Sequence, residues 1–198
     1  MNEKRTKFFW IMVCATILMD LIPSLGFFTV GTISITTIHI PTILTAIFLG
    51  PLPGMALGSI FGLISLFHAF SREAAVLDVL FLNPLISVLP RLCIGLVSGY
   101  LFRLLQKKWG RHPTICAALS AAAGSLTNTV LVLFSLVLWA PKRMLEIYHL
   151  SSLGKLIPAL LDIVKLNGSI EALVTTLFCA LAAYCCFHIQ SRSLTTPR

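Results

Sequence analysis

Charge is scarce in this chain: Asp, Glu, Lys and Arg make up 11% of its 198 residues, against about 25% in ordinary soluble domains. Acid is scarcer still, with seven acidic residues against fifteen basic ones and a net charge of +8. A chain that is 57% hydrophobic with so little charge does not present a water-soluble surface. The six cysteines, Cys14, Cys93, Cys116, Cys179, Cys185 and Cys186, include no C-x-x-C pair of the kind a zinc or redox site needs, and they read as lipid-facing or packing residues. Nor is there a G-x-x-x-x-G-K-[ST] loop to cradle a nucleotide, an H-E-x-x-H metal pair or a G-x-S-x-G elbow. Ser125 lacks a histidine placed to activate it. These absences argue against an enzyme and against a motor of its own, and they call for no metal and no cofactor.

What the sequence does contain is apolar length. Apolar runs fall near 8–25, 35–50, 54–70, 84–105, 114–139 and 168–189, each long enough to cross or nearly cross a bilayer. The expectation is an all-α membrane protein with six transmembrane helices, filling residues 1–198 as a single domain in the lipid bilayer. Gly50-Pro51-Leu52-Pro53-Gly54 reads as a tight reversal at one membrane face. The first apolar run has no Ala-x-Ala-like cleavage site behind it and is expected to be retained.

Basic residues orient these spans. With a cytoplasmic N-terminus, the inner segments hold Lys4, Arg5, Lys7, Arg103, Lys107, Lys108, Arg111, Arg192 and Arg198, opposed only by Glu3. The outer segments hold Arg72, Lys142, Arg143, Lys155 and Lys165, nearly matched by Glu73, Asp78, Glu146, Asp162 and Glu171. The bias predicts cytoplasmic N- and C-termini and accounts for the net charge without any nucleic-acid partner. Within the long outer loop, Leu156 to Val164 is amphipathic, which suits either a lid or a surface helix that only joins two spans.

Polar residues inside the spans carry the functional signal, because an unsatisfied polar group in hydrocarbon costs several kcal/mol. Asn83, Ser87 and Arg91 recur every four residues at the start of the fourth span, one face of a continuous helix. Ser120, Gly124 and Asn128 do so in the fifth, and Asn167, Glu171 and Thr175 in the sixth. Facing one another, these stripes would line an outward-opening pocket with Arg91, Asn128, Asn167 and Glu171. A guanidinium fork suits a carboxylate or phosphate, so the pocket favours an anionic solute. The plainer alternative is a buried Arg91–Glu171 ion pair with asparagines cross-linking helices. His39, beside Pro41 with Thr36, Thr37 and Thr42 near it, reads as a packing group or a solute contact; Asp20, His68 and His149 read as interface residues. Gly54, Gly58 and Gly62 form a smooth groove along the third span, suited to close helix packing within the chain or to a partner.

In its six-span pattern the chain resembles the substrate-binding subunits, or S components, of energy-coupling-factor vitamin transporters. The likeness is closest to the pantothenate-type members. It is carried by His39-Ile40-Pro41, the Gly50-Pro51 to Gly54 turn with Gly58 and Phe61-Gly62, and Asn83-Pro84-Leu85-Ile86-Ser87-Val88-Leu89-Pro90-Arg91. Leu126-Thr127-Asn128-Thr129-Val130 and Asn167-Gly168-Ser169-Ile170-Glu171-Ala172 extend it. The resemblance implies a vitamin-binding subunit that joins a transmembrane coupling subunit and two cytoplasmic ATPases, then topples in the membrane to release its vitamin. First spans of such subunits commonly carry Ala-x-x-x-Ala, and here Ala15 is followed four residues later by Met19; docking of the coupling subunit is expected on spans one to three, at Ala15 and the groove of Gly54, Gly58 and Gly62. Pantothenate would place its carboxylate on Arg91 and its hydroxyls and amide on Asn128, Asn167 and Glu171. Two alternatives stay open: another vitamin or precursor, pyridoxine-like or hydroxymethylpyrimidine-like, and a structural membrane subunit with no solute.

Overall fold

Seven prolines mark where the helices begin. Proline lacks the N–H that a first turn leaves unbonded anyway, and its fixed φ suits helix entry. Helices α2 (Pro23–Gly26), α4 (Pro51–Ser71), α5 (Pro84–Ser87), α7 (Pro113–Trp139) and α8 (Pro141–Ile147) start on one, while α3 (Ile40–Leu49) and α6 (Leu89–Lys108) carry it second. The remaining helices are α1 (Glu3–Leu21), α9 (Leu153–Ile163) and α10 (Ser169–Thr195), with a 3-10 turn at Asp78–Leu82. A computed structural model describes residues 3–30, 33–71 and 78–195. Arg72, Glu73 and Arg198 of the charge tally lie outside the described residues.

Among the described residues, four segments are long and apolar enough to cross a membrane: 51–70, 84–108, 113–139 and 153–188. The second expected span behaves differently. Strands β1 (Phe27–Val30) and β2 (Ile33–Thr36) pair antiparallel, Phe27 opposite Thr36 and Val30 opposite Ile33, so residues 35 and 36 belong to a hairpin rather than a helix. Thr37 closes the hairpin's base, its N–H and hydroxyl donating to Gly26 O and Leu25 O at 2.9 and 2.8 Å. Only the ten residues of α3 follow, about 15 Å of helix at 1.5 Å per residue.

That short helix is the centre of the bundle. Every residue of α3 except Phe48 is buried, as expected of a helix apolar all round, and α1, α4, α6, α7 and α10 all pack on it. Ile38, Ile43, Ile47, Phe61, Ile94, Ala117 and Cys179 make the main core. Gly50 ends α3 at φ 106°, a conformation only glycine takes freely, and Arg5 donates to the Leu49 carbonyl at 2.8 Å.

The glycines of α4 are consumed within the chain. A Cβ at Gly54 would lie 2.5 Å from Ala46 Cβ on α3, one at Gly62 would lie 2.6 Å from Val88 Cα, and one at Gly58 would overlap the Arg91 carbonyl. The groove expected to receive a partner is therefore filled by α3 and the start of α6. Ala15 stands half-buried on α1.

The fourth span is apolar over 84–108 as expected and carries a turn at Val88, between α5 and α6. One further expectation changes: the segment before the last span is not a loop as far as Asn167, since α9 runs through a π turn (Val164–Gly168) directly into α10. Leu156 and Leu160 of α9 bury against Leu136, Met144 and Ile86 in a second core.

Candidate functional site

Pro90 sets up the arginine. Without an N–H it leaves the Ile86 carbonyl, four residues back, free of its helical partner. Arg91 Nη1 donates to that oxygen at 2.8 Å. The guanidinium carbon lies 5.6 Å from the Phe61 ring centroid and 5.1 Å from that of Phe81, within cation–π range. Held by a carbonyl and two rings, Arg91 is buried and, among the described residues, forms no salt bridge. Its Nε has no hydrogen-bond partner there.

Asn83 and Ser87 shape this segment rather than extend a stripe. Asn83 Oδ1 caps α5 by accepting from Leu85 N at 3.0 Å, and the Ser87 hydroxyl donates to the Phe81 carbonyl. Asn83 is the extended N-cap, outside the helix, while Ser87 and Arg91 flank the turn at Val88 and both meet Phe81. Asn83 and Ser87 fold the turn that carries Phe81.

Arg91 borders a cavity of about 180 Å³, lined also by Asp20, Phe27, Ser65, His68 and Phe81. It sits at the end of the bundle where α1 and α4 finish and α6 begins. Asp20 and His68 pair across it, Nδ1 to Oδ2 at 3.0 Å, with Asp20 7% and His68 22% exposed. Neither was expected to reach the site. The available signal was an acid and an imidazole, each inside an otherwise apolar run.

Glu171 lies in a different cluster. Its Oε1 accepts from Thr36 N at 2.8 Å and its Oε2 from the Thr129 hydroxyl at 3.2 Å, tying the hairpin's last residue to α7 and α10. The anticipated Arg91–Glu171 pair is not formed. His39 Nε2 meets the Thr175 hydroxyl one turn further along α10, at 3.0 Å, and His39 lies within reach of the Arg91 charge. Asn128 is buried next to Thr129, its Oδ1 without a partner among the described residues, and Asn167 stands half-buried in the π turn. Gly168 lets that turn approach Thr129, 3.3 Å from where a Cβ would sit. Of the expected pocket residues, only Arg91 lines the cavity; His39, Asn128 and Glu171 gather beside the hairpin and α10.

A hairpin and a half-length helix over a buried arginine, inside a membrane bundle, can be set against known families. The family model for the ECF transporter, substrate-specific component, matches residues 11–187. The chain belongs to this family. As a substrate-specific component it is a multi-pass membrane protein of a transporter rather than an enzyme. It is 30% identical over 139 residues to the pantothenate transporter PanT of Leuconostoc mesenteroides, an alignment covering 66% of this chain and 68% of that one. It is 32% identical over 117 residues to the pantothenic acid transporter PanT of Lactococcus lactis, covering 52% of this chain and 57% of that relative.

Proposed function

We propose that this substrate-specific component captures pantothenate from the outer face of the membrane and passes it on with a transmembrane coupling subunit and two cytoplasmic ATPases. The observation that carries the reading is Arg91: a guanidinium fixed between two phenylalanine rings, without a salt bridge among the described residues, at the edge of a cavity. A fork of donors already oriented by Ile86 O suits a carboxylate, and both named relatives are pantothenate transporters. Phe27 and Phe81 offer the solute's methylene groups an apolar wall. Asn128, Asn167 and Glu171 stand beside the hairpin instead of lining the cavity; Glu171 holds Thr36 N, and Phe27, paired with Thr36, lines the cavity.

In this reading six segments span the bilayer, α1 and the hairpin–α3 unit joining the four long ones, with both termini cytoplasmic. Lys4, Arg5, Lys7, Arg103, Lys107 and Lys108 lie at the end opposite the cavity, where α1 begins and α6 ends, so the cavity faces outward. Coupling subunits would meet α1 and the lipid-exposed side of α4, since the face carrying Gly54, Gly58 and Gly62 is covered by α3 and α6.

Calorimetric titration of the purified protein with pantothenate and a panel of other vitamins tests the reading. Tight binding of pantothenate, lost in Arg91→Ala with the fold intact, is the expected result; unchanged affinity in that variant would overturn it. The phenylalanines around the cavity favour one other reading, a planar ring precursor, which the same panel would detect.

A further inference from the structure

Phe61, Ser65 and His68 recur at i, i+4 and i+7 on α4, one helix face, and that face meets Arg91 through Phe61 and the cavity through Ser65 and His68. The cavity thus has two polar poles carried by different helices. One is the Arg91 guanidinium. The other is the His68 imidazole, whose Nδ1 is engaged by Asp20 at 3.0 Å.

A carboxylate accepting from Nδ1–H fixes the ring's orientation and leaves Nε2 as the nitrogen able to meet a ligand. Asp20 also borders the cavity but is nearly covered, and its Oδ2 is engaged by the imidazole. Space is limited: about 180 Å³ corresponds to roughly six water volumes of about 30 Å³ each. A solute with its carboxylate on Arg91 would bring its far, hydroxylated part against the opposite pole.

We infer that His68, positioned by Asp20, accepts a hydroxyl of the captured solute, so that the cavity selects hydroxy acids over acids in general. The inference rests on the capture reading above and adds to it a selectivity group on α4. Asp20 is a positioning residue; His68 is the one that touches the solute.

Two ligands separate these roles: pantothenate, and its analogue with both hydroxyls replaced by hydrogen. A site built to bond a hydroxyl rejects the analogue lacking it. The wild-type chain in detergent should prefer pantothenate by roughly tenfold to a hundredfold, the range expected when one buried acceptor loses its partner. His68→Phe, which keeps a ring and removes both nitrogens, should bind the two ligands almost equally. Should that variant not fold, His68→Gln carries the test, its flexible amide narrowing the preference severalfold. Asp20→Leu should narrow it as well, by loosening the imidazole, while still binding pantothenate. A folded His68 variant that keeps the full wild-type preference overturns the inference and leaves the capture reading standing. A wild-type chain that ignores pantothenate and the whole vitamin panel overturns both.

Discussion

Among the described residues of the last three spans, Arg91 and Glu171 are the buried charged ones, and they are satisfied in opposite ways. Arg91 has one carbonyl and two ring faces; Glu171 has both oxygens occupied by donors from other elements. Arg91→Lys should therefore weaken pantothenate binding nearly as much as Arg91→Ala. A point-charge ammonium cannot keep the Ile86 bond and present a fork as well. The expected loss is on the order of 10- to 100-fold in Kd, given about 1.5–3 kcal/mol for a charge-assisted hydrogen bond, and calorimetry reads it directly. Glu171→Gln should act on the hairpin. Its amide keeps one acceptor where the carboxylate offers two, so the Thr36 amide should exchange with deuterium faster, by roughly tenfold for about 1.4 kcal/mol of lost protection. Mass-spectrometric exchange over 27–39 measures this, and unchanged exchange would contradict the tie between strand and helix.

At the scale of elements, the α4–α6 contact is set by glycine, where backbone approaches backbone. Gly58→Val should cost about 1–3 kcal/mol or more through overpacking and lower the unfolding temperature in detergent, whereas Ala56→Val, on the exposed side of α4, should leave it within error. The π turn is a second such feature, since one extra residue rotates α9 relative to α10. Deleting Leu166 should turn the face carrying Leu156 and Leu160 out of the second core and destabilise the segment from Pro141 onward. Limited proteolysis there checks this. Much of this layout was legible in the sequence: four long apolar runs and the Gly50 reversal stand where length and composition put them, and Ser120, Asn128, Glu171 and Thr175 of α7 and α10 are buried. Period-two alternation of Ile33, Ser34, Ile35 and Thr36 also pointed to a strand, but it abuts the apolar run of α3 and reads as the start of a helix. The site was less legible. Asn83, Ser87 and Arg91 share a helical spacing, but Asn83 is the extended N-cap of α5, and nothing local reveals that α1 and α4 bring Asp20 to His68.

For the whole molecule, the distribution of basic side chains makes a topological prediction. Single cysteines placed at Gly110 and Ser151 in a cysteine-free background should label from opposite sides of intact cells or vesicles, Ser151 from outside. Labelling of both from one side would contradict the six-span arrangement. The stunted central helix has a consequence of another kind. A bilayer core is about 30 Å thick, and α3 fills about half of that depth. Away from the cavity its column packs against Ile94, Ala117 and Cys179; at the cavity end the same column is completed by the hairpin, whose Phe27 lines the cavity. Frame and cavity wall are thus made by separate pieces of chain. Under the capture reading, substitutions in the hairpin strands, residues 27–30 and 33–36, should change what is bound and leave the helical frame standing.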